Sequence, residues 1–115
     1  MDNITRTVRA LGIGRTYLGY YFLIDSVRLV LDNEVLLFSV CRKLYPTVAR
    51  IHHTTADNVE RNLRTAIRAC WEHGNRSLLE SMFPYPLYAR PSASEVIDAI
   101  ADYCRSLDSP PPRRR

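Results

Sequence analysis

The sequence predicts an all-α fold, and two observations carry that prediction. Only four glycines occur among 115 residues, with no Asn-Gly or Asp-Gly pair to turn a hairpin and no clear alternation of apolar and polar side chains. Apolar residues recur instead at helical spacing, from one Gly, Pro or polar break to the next.

The first helix is expected over residues 4–11, with Ile4, Val8 and Leu11 on one face and Gly12-Ile13-Gly14 ending it. A second runs over 16–31, where Leu23, Val27, Val30 and Leu31 share a face and Asp32-Asn33 supplies a turn and the next cap. A third is expected over 34–44. Pro46 fits a first helical turn better than a helix interior, so 45–52 reads as a separate short helix. His53-Thr54-Thr55 then forms a polar turn with two candidate cap hydroxyls, and a long helix follows over 56–73, closed by Gly74-Asn75. After a short helix over 77–82, Pro84, Pro86 and Pro91 punctuate an irregular crossing. Ser92 or Ser94 starts the last helix, which carries Val96, Ile97, Ile100 and Tyr103 towards residue 107. Residues 1–109 are thus expected to be one domain, and 110–115 a flexible, disordered Pro/Arg tail.

A composition of 46% hydrophobic and 24% charged residues supports one buried core. The apolar runs at 20–24 and 35–38 fall far short of the roughly 20 residues a membrane span needs, and Met1-Asp2-Asn3, with no basic stretch before an apolar run, gives no expectation of a secretory signal. A cytoplasmic protein without membrane contact is the expectation. Cys41, Cys70 and Cys104 suit neither a disulfide framework nor a CxxC metal site, and each is expected to be a buried free thiol. His52, His53 and His73 with Cys70 do not assemble a ligand set either, because Cys70 and His73 supply only two ligands. No metal or other cofactor is expected. No converging acid, base or nucleophile set is found, so an enzyme is not expected. Tyr17, Tyr20, Tyr21 and Phe22 could stack on bases, but aromatics at this spacing are expected to fill the core.

Net charge is +4, and all basic residues but Lys43 are arginines. Residues 1–41, 42–76, 77–112 and 113–115 carry 0, +4, −3 and +3, so the middle third is where an anionic partner should dock. That third holds a short helix, a polar turn and a longer helix, the layout of a helix-turn-helix. At about 100° per residue, Val59, Leu63, Ala66, Ile67 and Cys70 fall on one side of the long helix, and Arg61, Arg64 and Arg68 fall on the other. Asp57, Asn58 and Thr65 lie nearer the arginine side. Such a stripe suits double-stranded DNA, although an arginine row opposite a core face also occurs as plain solvated surface.

These same residues carry a resemblance. Leu44-Tyr45-Pro46 through Thr54-Thr55-Ala56, then Val59-Glu60-Arg61, Arg64, Ala66-Ile67, Trp71 and Gly74-Asn75, resemble the C-terminal effector domains of stage zero sporulation protein A. Gly19-Tyr20, the run 78–83, and Arg90-Pro91-Ser92-Ala93-Ser94-Glu95 extend it to about residues 4–107. The resemblance implies a compact six-helix domain whose helix-turn-helix binds short DNA boxes, often as a head-to-tail dimer, and contacts an RNA polymerase sigma factor to regulate transcription. Glu60, Arg61 and Arg64 match family positions of the recognition helix, the first two of them DNA-contacting, whereas Asp57 and Asn58 stand where the family has Ser and Arg. The expected DNA-binding residues are Thr55, Asp57, Asn58, Glu60, Arg61, Arg64, Thr65 and Arg68. Asn58 suits adenine, Glu60 a cytosine amino group, and Asp57 opposes phosphate.

The sigma-contacting region of the family corresponds to Arg76, Leu78, Phe83 and Leu87, with Phe83 and the apolar character of Leu87 retained. The chain begins directly at the effector domain, so a phosphoacceptor receiver in cis is not expected to switch it. The alternative expectation is a degenerate effector domain that acts as a protein-interaction module, with a sigma factor or a full-length regulator as partner and weak DNA binding.

Overall fold

Six α-helices build the protein in the computed structural model, which describes residues 1–108: α1 (Asn3–Ala10), α2 (Leu18–Asp32), α3 (Tyr45–Ile51), α4 (Ala56–His73), α5 (Arg76–Ser81) and α6 (Ala93–Asp108). The expected tail over 110–115 lies outside the described residues, and no strand occurs among them. α2 is the central element, packed against α1, α4 and α6. Its Leu23, Val27 and Val30 are fully buried, together with Val8 of α1 and Leu11 that follows it, Leu63 of α4, and Ile97 and Ile100 of α6. No helix among the described residues is long and apolar enough to cross a membrane.

Helix starts follow local capping chemistry. The Asp2 side chain accepts the Thr5 N–H at 2.8 Å and an Arg28 guanidinium N–H at 2.6 Å, and the Thr5 hydrogen bond foremost holds its carboxyl below the ordinary value. At α6, Ser92 is the cap: its hydroxyl accepts the Glu95 N–H at 3.3 Å, and the Glu95 carboxylate accepts the Ser92 N–H at 2.9 Å. That reciprocal pair selects Ser92 over Ser94. α5 begins one residue earlier than its periodicity suggests, because the Asn75 side chain accepts the Leu78 N–H.

One expected helix is different in kind. Residues 34–44 do not form a single α-helix but a 3-10 turn, Glu34–Phe38, followed by a wide π turn, Val40–Leu44. Ser39 between them has extended-range φ of −146°, and the Leu44 N–H reaches five residues back to the Ser39 carbonyl at 3.2 Å. Pro46, in the first turn of α3, has no N–H to give to the Arg42 carbonyl, and the wider turn leaves room for its ring. Leu36, Leu37 and Val40 still pack on the core, whereas Phe38 is 85% exposed. The changed rotation also corrects the cysteine expectation: Cys70 and Cys104 are buried, but Cys41 is exposed. The expectation that the aromatic cluster fills the core is corrected likewise: Tyr20 and Phe22 are buried, but Tyr17 and Tyr21 are exposed.

Candidate nucleic-acid interface

α3, the four residues 52–55 and α4 form the short helix, turn and long helix that the basic third of the sequence predicts. The turn is built by a specific backbone device. His53 adopts a left-handed φ of 53°, the Thr54 N–H reaches the Ala49 carbonyl at 2.9 Å, and the His53 N–H reaches Arg50 at 3.4 Å. These two bonds close α3 as a Schellman motif, with His where Gly is the unstrained residue. The turn is fixed further from α2, where Asp25 lies 2.5 Å from the His52 Nε2. Thr55 then caps α4, its hydroxyl accepting the Asn58 N–H at 3.1 Å.

α4 is held along its length by contacts that only small residues allow. A Cβ on Gly19 would lie 2.3 Å from the Asn62 carbonyl oxygen and 2.6 Å from the Ala66 Cβ, so α2 crosses α4 at a bare backbone. At the far end, Gly74 meets the α1 terminus: its Cβ would lie 2.6 Å from the Leu11 carbonyl, which accepts the Asn75 N–H at 2.9 Å. The buried side of α4 is Val59, Leu63, Ala66, Ile67 and Cys70, as the wheel predicts. Burial pushes the Cys70 thiol up to about 11, while His73 is exposed.

The opposite side presents Arg61, Arg64 and Arg68, all exposed, with Asp57 exposed in the first turn. Arg64 donates to Glu60 at 2.7 Å. An exposed i,i+4 pair of this kind is worth about 0.5 kcal/mol or less, so either member can exchange its partner for a phosphate or a base at little cost. Asn58 is engaged more firmly. Its amide donates to the Thr54 hydroxyl at 2.9 Å, and its side-chain oxygen accepts from Asn62 at 3.0 Å and from Arg61 at 3.4 Å. Thr65 donates to the Arg61 carbonyl at 3.1 Å, within the helix itself. Thr55, Asp57, Asn58, Glu60, Arg61, Arg64, Thr65 and Arg68 therefore share one helix and its cap, with the three arginines most open to a partner.

The other predicted contact residues lie apart from this stripe. Arg76 stacks over the Trp71 ring at 3.5 Å and approaches Glu80 at 3.5 Å. Leu78 and Phe83 pack against the core, and Phe83 meets the Tyr85 ring with centroids 5.8 Å apart. Leu87 is half-buried. Two residues outside the expected contact set join α4 in space: Tyr45 and Arg90 line a cleft with Glu60 and Arg64. Arg90 lies 26 positions beyond Arg64, and no local spacing signals that approach.

A short helix, a four-residue turn and a long helix anchored on one side, with guanidiniums lining the other, are consistent with a DNA-binding domain of the helix-turn-helix kind. The family described as sporulation initiation factor Spo0A C terminal matches residues 4–104, and the chain belongs to that family of transcription regulators.

Proposed function

We propose that the protein is a sequence-specific transcription regulator that inserts α4 into the major groove. The observation that carries this reading is the exposed row of Arg61, Arg64 and Arg68 on a helix whose other side is locked to the core. Arg61 and Arg64 are placed to read base edges or grip phosphates, and Arg68, about one turn further along, reaches the flanking backbone. Glu60 accepts a cytosine amino group once Arg64 turns to the DNA. Thr55, Asn58 and Thr65 brace the helix start and its first turns, and Asp57 keeps phosphates away from the leading end. Neighbouring boxes would take two copies as a dimer.

A sigma factor is the proposed protein partner, met over the segment from Arg76 to Leu87, where Leu78 and Phe83 shape the surface from beneath. One observation favours the rival protein-interaction reading: the Asn58 amide is already engaged, and the neighbouring Asp57 carboxylate is exposed. Selection of bound duplexes from a random pool separates the two. Enrichment of one consensus by the wild type, and its loss in the Arg61→Ala, Arg64→Ala double variant, is the expected result. A pool that stays random with the wild type would contradict the DNA-reading assignment and favour the interaction module.

A further inference from the structure

Beside the arginine stripe lies an open cleft of about 490 Å³, lined by Val40 and Cys41 of the π turn, Tyr45 of α3, Glu60, Arg64 and Ile67 of α4, and the 90–95 lead into α6. Its volume falls in the range of small-molecule sites rather than of packing defects. Two features set it apart from an ordinary surface groove.

The first is Tyr45. Its side chain is only 4% exposed, yet it lines the cleft, and its phenol makes no hydrogen bond among the described residues. Burial foremost, then the Glu60 carboxylate, pushes the phenol up to about 12. Glu60, Arg64 and the Cys41 thiol line the same cleft as Tyr45, so the phenol shares that space with one carboxylate and one guanidinium. Ser26 has the one fully buried side-chain oxygen without a partner among the described residues, so the Tyr45 hydroxyl, without a protein partner, reaches the cleft and can donate there to a ligand oxygen or to water.

The second is the convergence of donors on one side. Arg90 is exposed and forms no ion pair among the described residues, and Arg64 is held only by its surface pair with Glu60. Ala93 and Ser94 open the 16-residue α6, and the capping pair of Ser92 and Glu95 leaves their backbone N–H groups unused by the helix. Guanidinium, phenol and helix-start amides together suit an oxyanion. The carboxylates of Glu60 and Glu95 limit its charge and favour a single anionic group on a compact organic body.

We propose that this cleft binds a small organic oxyanion, a phosphate monoester or carboxylate, held by Tyr45, Arg64 and Arg90 at the start of α6. Binding there draws Arg64 away from the DNA-facing stripe, so ligand and DNA compete for one side chain. That coupling rests on the DNA reading above, but occupancy of the cleft does not.

The test is an amide NMR titration of the free protein with phenyl phosphate. Saturable shifts of Ala93 and Ser94 are expected, together with at least a fivefold loss of affinity in Tyr45→Phe and in Arg90→Gln. Tyr45→Phe keeps the buried ring, and its unchanged spectrum elsewhere would show that the fold is intact. Absence of saturation at millimolar ligand would overturn the proposal. So would shifts spread along Arg61 and Arg68 that neither substitution alters. A parallel titration with random-sequence duplex separates the sources of phosphate. If only the duplex moves Ala93 and Ser94, the cleft belongs to the DNA backbone contact and the small-ligand assignment fails.

Discussion

Ser26 has its hydroxyl buried in α2 with no hydrogen-bond partner, although the residue is 0% exposed. A hydroxyl left unsatisfied in an apolar setting costs on the order of 1–3 kcal/mol, and alanine removes the donor while leaving only a small void. Ser26→Ala is therefore expected to keep or raise stability, by up to about 1 kcal/mol, in a denaturant melt. Marked destabilisation would mean that the hydroxyl has a partner after all. Thiol chemistry gives a second prediction at this scale. Cys41 is exposed, whereas burial pushes the Cys70 and Cys104 thiols up. One thiol per chain should react rapidly with an alkylating reagent near neutral pH, and the other two only as fast as the protein opens; mass mapping identifies them. Cys70 and Cys104 were legible as buried from their helical register. Cys41 was not, because its direction depends on a π turn that no residue pattern announces.

Among the elements, the crossing of α2 over α4 fixes α4 more directly than any side-chain contact. Gly19→Ala places a methyl 2.3 Å from the Asn62 carbonyl oxygen and 2.6 Å from the Ala66 side chain, so the two helices must separate. A loss of about 1–3 kcal/mol is expected from calorimetry, with DNA affinity falling as α4 shifts. Wild-type stability in Gly19→Ala would show that α4 is free to move and is not held by this crossing. The helices themselves were readable because each has a local cause: Asp2, Thr55, Asn75 and Ser92 cap four of them, and apolar periodicity orients α4 and α6. The 34–44 segment was misread because its apolar spacing fits an α-helix, while the missing N–H of Pro46 acts only on hydrogen bonds that spacing does not reveal. The left-handed His53 is a similar case, since His adopts that conformation far less often than Gly and marks it only weakly.

Taken whole, the molecule separates its charge. The middle third carries the excess of arginine, and residues 77–112 carry the excess of acid. The fold preserves that separation by turning the apolar side of α4 inward and its guanidiniums outward. Arg61, Arg64 and Arg68 were legible from the helical wheel alone. Tyr45 and Arg90 were not, because the cleft they share with Arg64 exists only once the lead into α6 folds back against α4.

The most direct test of the recognition-helix assignment is the salt dependence of duplex binding by the wild type and by the Arg61→Ala, Arg64→Ala double variant. Each phosphate contact contributes about 0.9 to the slope of log affinity against log salt, and each base contact contributes affinity with little slope. The assignment predicts a steep wild-type slope and weaker binding by the variant, with a shallower slope to the extent that either arginine grips phosphate. Equal affinity and equal slope in the two proteins would contradict it.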